Sequence, residues 1–304
     1  MDNIEIIWDD EIAAESFHNL KSLQVRRCNK LANIVPSCIL GRLKSLESLD
    51  ILACGSLKVV FKLQPLNPLD RHPITRLPIK KLELYGLPEL KCVWEKELHS
   101  QVKFQCLRFV TVYGCKNLAF LFPTSIALYL TQLEELEINA CGIVELIEKE
   151  EGLVPRFVFP KLTSLKLEHL IELKCIYTGK HASYWPALKT LKVCGCDKVE
   201  ILASHLENEM PLLKQPLFIV EKGAFSNLQE LKLESSKWME IWNGSFLNGE
   251  FFCKLRVLEL CRISKESAMS ASKMKALQVC DCGSLEEISN LEGMEAMNNT
   301  QVLP

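Results

Sequence analysis

The chain has 304 residues, enough for about two globular domains of ordinary size. Its 36 basic residues stand against 38 acidic ones, and a formal charge of −2 gives no support to a nucleic-acid or membrane-surface role. The first residues, Met1-Asp2-Asn3-Ile4-Glu5-Ile6-Ile7-Trp8-Asp9-Asp10, are acidic where a secretory leader is basic. The most apolar stretch, 119–130, contains Pro123 and is too short to span a bilayer, so a soluble, cytoplasmic chain without membrane insertion is expected.

Residues 1–16 read as the second half of a repeat, because Ile4, Ile7 and Trp8 match Leu90, Val93 and Trp94 further on. The clearest whole unit is 46–60, with apolar Leu46, Leu49, Ile51, Cys54, Leu57 and Val60. That spacing fits neither a plain helix nor a plain strand. It fits one coil of a leucine-rich repeat: Leu49 and Ile51 flank one outward residue at strand period, and threefold steps then turn beneath the sheet. Copies centre on Val25, Ile51, Leu84, Val112, Ile138, Leu167, Val193, Leu233, Leu260 and Val279, about ten coils at mostly the 20 to 29 residue step of this class.

The expected organisation is an incomplete repeat over 1–16, about seven coils over 17–202 and an irregular connector over 203–224. About three coils follow over 225–290, then a truncated tail over 291–304. Two connections, Pro36 to Leu43 and Pro123 to Leu130, begin with proline and hold enough helix formers for a helical turn or two on the outer face. The fold class is therefore a leucine-rich-repeat solenoid with a parallel concave sheet and a mostly irregular or short-helical convex side. Both ends fall in mid-repeat without a polar cap. The chain is accordingly expected to be a segment of a longer protein or to be least stable at its ends.

Fourteen cysteines invite a disulfide or zinc reading. Cys28, Cys54, Cys115, Cys141, Cys196 and Cys282 instead share one place in the coil, the turn after the strand, where asparagine or cysteine is expected to pack inward. Cys194-Gly-Cys196 and Cys280-Asp-Cys282 have the wrong spacing for structural zinc, with Cys194 and Cys280 expected to point outward. No metal or cofactor is expected. Catalytic signatures are missing too: Gly179-Lys180 lacks the upstream glycine of a phosphate loop, the six histidines are scattered, and no nucleophile elbow occurs. The sequons at Asn243 and Asn298 matter only in a secreted protein.

What remains is a surface. The residue between the two inward positions of each strand faces outward. In order these are Gln24, Asp50, Glu83, Thr111, Glu137, Lys166, Lys192, Lys232, Glu259 and Gln278, a column of roughly 45 Å. Tyr85, Phe109 and Tyr113 flank Glu83 and Thr111, either as an anchor for a protein partner or covering one another across strands. Candidate partner-binding residues are thus Glu83, Tyr85, Phe109, Thr111, Tyr113, Glu137, Lys166, Lys192 and Lys232. Trp94, Trp185, Trp238 and Trp242 fall on the returning side, as core.

The coil at 188–202, the aromatic-Pro-x-Leu lead-in at 159–167 and the segment 215–231 together resemble the C-terminal repeats of plant nucleotide-binding leucine-rich-repeat disease-resistance proteins of the coiled-coil class. The resemblance implies a non-catalytic protein-recognition module of a cytoplasmic immune receptor. Its partners would be a pathogen effector, a guarded host protein or the receptor's own nucleotide-binding domain, which the repeats restrain. No nucleotide-binding domain is present here, so nucleotide binding is not carried over. The alternative reading is a substrate-binding adaptor of a ubiquitin ligase.

Overall fold

A computed structural model of the chain describes residues 4–8, 16–62, 75–95, 102–150, 154–179, 181–204, 216–220, 225–234, 254–262 and 275–280. The first repeat supplies β1 (Ser22–Arg26), β2 (Asn33–Pro36) and helix α1 (Ser37–Leu40). Next come β3 (Ser48–Leu52) and β4 (Val59–Lys62), then β5 (Thr75–Arg76), β6 (Lys81–Tyr85) and β7 (Cys92–Trp94). The fourth repeat holds β8 (Val102–Lys103), β9 (Phe109–Tyr113), β10 (Phe122–Pro123) and helix α2 (Thr124–Ala127). Further on lie β11 (Glu135–Asn139), β12 (Ile147–Glu148), β13 (Arg156–Val158), β14 (Ser164–Glu168), β15 (Ala182–Tyr184) and β16 (Thr190–Cys194). The last elements are β17 (Glu200–Ser204), β18 (Pro216–Val220), β19 (Glu230–Glu234), β20 (Val257–Cys261) and β21 (Ala276–Cys280).

Ten of these strands, one from each sequence copy, form a single sheet in the order β1-β3-β6-β9-β11-β14-β16-β19-β20-β21. Every pairing in it is parallel, as successive coils wound the same way require. The register places Val25, Ile51, Leu84, Val112 and Ile138 in one cross-strand row. Side-chain alternation turns this row and the row of Leu49, Leu82 and Val110 to the inside, where they are buried. One continuous core runs from Trp8 to Leu260.

Each strand must then reverse within two residues. Arg27, Gly86, Gly114 and His169, at the residue after the strand, all have positive φ, and each amide donates to the last carbonyl of the next strand. The following residue drops inward. Cys54, Cys115 and Cys196 are fully buried there, and their thiols find strand carbonyls: Cys54 Sγ lies 3.6 Å from Leu52 O, and Cys196 Sγ 3.5 Å from Leu167 O. Burial pushes the Cys196 thiol up to about 12, so it keeps its proton and can donate. The expected cysteine place is therefore a ladder of small buried donors between coils.

The returning side is filled by large rings. Trp94 packs against Phe61, Phe104 and Phe122, with the Phe104 and Phe122 ring centroids 5.5 and 5.4 Å away. Trp185 stacks on Phe159 at 4.6 Å. Both tryptophans are core, as their spacing predicts. The two proline-led connections each form one helical turn, α1 and α2, and short strand pairs such as β2-β4-β7 line the outer side.

One expectation needs correction. The connector over 203–224 is not irregular throughout, because Pro216–Val220 is a strand paired in parallel with Glu200–Ser204. Leu217-Phe218-Ile219-Val220 carries strong strand formers, and a proline at a strand's first residue removes no needed donor. Cys194 does stand in the outward row, opposite Glu168 and Glu234, yet it is buried among the charged groups of Lys192, Lys232, Glu168 and Glu234. Trp238, Trp242, Cys282, both sequons and the tail over 291–304 lie outside the described residues.

Candidate functional site

The outward column predicted from the sequence is a true register row. Asp50 opposes Gln24 and Glu83, Thr111 lies between Glu83 and Glu137, and Lys166, Lys192 and Lys232 follow on consecutive strands before Glu259 and Gln278. Parallel pairing without a slip keeps every outward residue on one face.

The charges on this face are largely spent on each other. Arg26 pairs with Asp50 at 2.7 Å, Lys81 with Glu83 at 2.8 Å and Lys166 with Glu137 at 3.2 Å. Lys192 pairs with Glu168 at 2.8 Å, Lys232 with Glu259, and Arg262 with Glu234. The Glu259 hydrogen bond holds the Lys232 ammonium above its usual range. Three lysines in succession are therefore not a bare basic stripe, since each pairs with a carboxylate on an adjacent strand. Such pairs add little stability at a surface, but they lower the net field a partner meets.

The aromatic patch is different. The three outward residues of β9 are Phe109, Thr111 and Tyr113, none of them charged, and Tyr113 is 50% exposed. On the adjacent strand Tyr85 is half-buried opposite Tyr113. Its hydroxyl donates to Glu83 Oε1 at 3.2 Å, and burial followed by the Glu83 charge raises its phenol above the ordinary range. The Arg108 guanidinium lies 5.1 Å from the Phe109 ring centre and is clamped by Glu134 through bonds of 2.8 and 2.9 Å. The Arg108 hydrogen bond in turn holds the Glu134 carboxyl below its usual range. Among the described residues no ring pair joins Tyr85, Phe109 and Tyr113 to one another. The close ring contacts lie on the returning side.

Thus Glu83, Tyr85, Phe109, Thr111 and Tyr113 come together on two neighbouring strands, with Glu137 on the next. Lys166, Lys192 and Lys232 continue the row away from the patch. Arg26, Lys81, Glu168 and Arg108, which neutralise or cover these residues, were not singled out from the sequence. The first three occupy the other outward positions of their strands, two residues from the central column, so the same alternation could have located them. Among the described residues no group of three or more His, Cys, Asp or Glu could hold a metal ion.

A single parallel sheet of consecutive coils, with leucines beneath and short irregular returns behind, defines a leucine-rich-repeat solenoid. Its outward face presents a row of side chains from consecutive coils. Residues 1–142 match the family model for the leucine-rich repeats of plant disease resistance proteins, RPS2-like. That stretch, a little under half of the chain, is similar to the leucine-rich repeats of plant disease resistance proteins. No curated protein and no solved structure matches the chain. No helix among the described residues is long and apolar enough to cross a membrane.

Proposed function

We propose that the chain grips a protein partner, a pathogen effector or a host protein that one modifies, through the outward face of β6 and β9. Tyr85, Phe109, Thr111 and Tyr113 form the contact centre, and Glu83, Glu137, Lys166, Lys192 and Lys232 form its polar surround. In a receptor that carries a nucleotide-binding domain, the same solenoid restrains that domain until the partner arrives. One observation carries the reading: β9 brings no charge to any outward position, while eight other strands of the sheet spend charged side chains in ion pairs. An uncharged aromatic centre within a polar rim is the composition of a binding hot spot, where removing an anchor costs about 2 kcal/mol or more.

The test compares wild type with Tyr85→Ala/Tyr113→Ala as bait in extracts of infected leaf tissue. Recovered proteins are quantified, and folding is checked by circular dichroism and thermal melting. The double variant is expected to melt like wild type and to lose its specific partner by tenfold or more, since each tenfold in affinity is about 1.4 kcal/mol. Equal partner recovery by a normally folded variant removes this patch from the interface.

A further inference from the structure

We propose that the edge of the solenoid where its sheet strands begin is a second contact surface, which takes an extended acidic segment of a protein partner. The residue just before each of the ten sheet strands stands on this edge, and the backbone joins these residues into one ladder. Each carbonyl accepts the amide of its counterpart in the next coil at 2.7 or 2.8 Å, from the Glu47 amide on the Lys21 carbonyl to the Lys275 amide on the Arg256 carbonyl. Six of the ten, Lys21, Lys80, Arg108, Lys189, Arg256 and Lys275, are basic, and all six are exposed.

The two acidic members of the ladder are already spent. Glu47 pairs with Lys80 at 2.9 Å, and Glu134 with Arg108 at 2.8 Å. Lys21 adds only a longer-range pull on Glu47, and Lys189, Arg256 and Lys275 have no ion pair among the described residues. Two positions earlier in their coils, Lys161 and Lys254 add further cations, bonded to the neutral side chains of Gln132 and Asn227 at 2.6 and 2.5 Å. The first outward row beside the ladder brings two carboxylates, Glu135 and Glu230, against Lys81. A chain whose formal charge is −2 therefore carries a positive excess along one edge. Like charges on directly neighbouring positions are destabilising, and Arg256 beside Lys275 carries that cost until an anion lies across them.

Spacing and side-chain type select the occupant. Successive ladder positions lie about 4.8 Å apart, so the edge runs roughly 45 Å, the length of about fourteen extended residues. From Thr163 onward the ladder mixes neutral hydrogen-bonding side chains, Thr163 and Gln229, with the cations Lys189, Arg256 and Lys275. An acidic peptide can set carboxylates against the cations and amides against the neutral pair, as acidic motifs do on basic clusters. Nucleic acid fits less well, because no ladder position carries an aromatic ring for a base to stack on, and none carries an apolar side chain to enter a bilayer. The edge adjoins the aromatic patch through Arg108 but shares none of its contact residues, so it can be altered without touching that patch.

The experiment titrates the full chain into a fluorescein-labelled peptide of that length, alternating glutamate with alanine, and reads anisotropy at about 0.05 M salt and again at about 0.5 M. Wild type is expected to bind at low salt and to weaken by about tenfold or more at high salt. At low salt Lys189→Glu/Arg256→Glu should bind about tenfold or more weakly than wild type, and the milder Lys189→Gln/Arg256→Gln about threefold or more. The control is Lys58→Glu/Lys91→Glu, the same charge change at exposed positions on the returning side, where the Lys91 amide donates to the Lys58 carbonyl at 2.9 Å. It should stay within about twofold of wild type, being several coils and more than a screening length of about 10 Å away. A single-stranded uridine oligonucleotide and phosphatidylserine vesicles, titrated alongside, should bind more weakly than the peptide. The proposal is overturned if wild type does not take the peptide, if either of those two binds more tightly, or if the control loses as much as Lys189→Glu/Arg256→Glu.

Discussion

Replacing Gly142 by alanine tests how closely one coil sits on the next. A methyl there would come within 1.9 Å of the Lys116 carbonyl oxygen and 2.9 Å of its carbon, both backbone atoms of the preceding coil. Neither can swing away as a flexible side chain would, so the turn must move by about 1 Å or more to restore ordinary contact. That shift breaks the bond from the Gly142 amide to the Cys115 carbonyl at 3.1 Å. It also loosens the adjacent contact from the Cys115 amide to Cys141 Sγ at 3.4 Å. A net hydrogen bond is about 1 kcal/mol, and a buried group left unpaired costs about 1 to 3, so Gly142→Ala should destabilise by about 2 to 4 kcal/mol. Gly41→Ala provides the control, because its φ of −64 is ordinary and nothing lies within 4 Å of the added methyl. That change should be neutral or stabilise by up to about 1 kcal/mol through the unfolded chain. Urea unfolding of the two variants beside wild type, with slopes compared to verify a common unfolded state, reads both numbers. Midpoints for Gly142→Ala and Gly41→Ala that coincide would refute the packing argument.

Leu84→Ala empties a fully buried place in the central inward row and should cost about 2 to 5 kcal/mol. Leu128→Ala, at a position 37% exposed, should change the urea midpoint little; similar losses for the two would contradict a core confined beneath the sheet. Burial holds the Cys196 thiol at about 12, above its unfolded value of about 8.5. Its neutral form is therefore favoured by folding: the contribution is complete below about pH 8.5 and is lost as pH rises toward about 12. Stability measured from pH 8 to 11 should fall less steeply in Cys196→Ala than in wild type, and parallel slopes would exclude the thiol as a cause. Lys166→Gln removes the pair with Glu137 at an exposed site and should leave the melting temperature nearly unchanged. A large loss there would mean that the paired face carries stability rather than surface chemistry.

Much of the molecule is legible without coordinates because its inward residues recur with a period that only one architecture satisfies. Leu49 and Ile51 bracket Asp50 just as Leu82 and Leu84 bracket Glu83, and alternation along a strand then dictates that Asp50 and Glu83 share a face. Proline at 36 and 123 likewise announces the two helical turns, through a fixed φ suited to a helix start. The segment after Ala203 was harder to read, since two prolines in an apolar run resemble a loop until a partner strand is found for it.

Sequence alone determined the strands, the buried rows and the outward column, because these follow from side-chain parity and need no knowledge of neighbours. Tertiary structure decided which outward residues meet: that Lys166 faces Glu137, that Arg108 covers Phe109, that Cys261 stands beside Cys280, and that Lys116 leaves no room at Gly142. All of these except the contact of Arg108 with its neighbour Phe109 join different coils, across connecting stretches of unequal length. Only the stacking of one coil on the next fixes their distances.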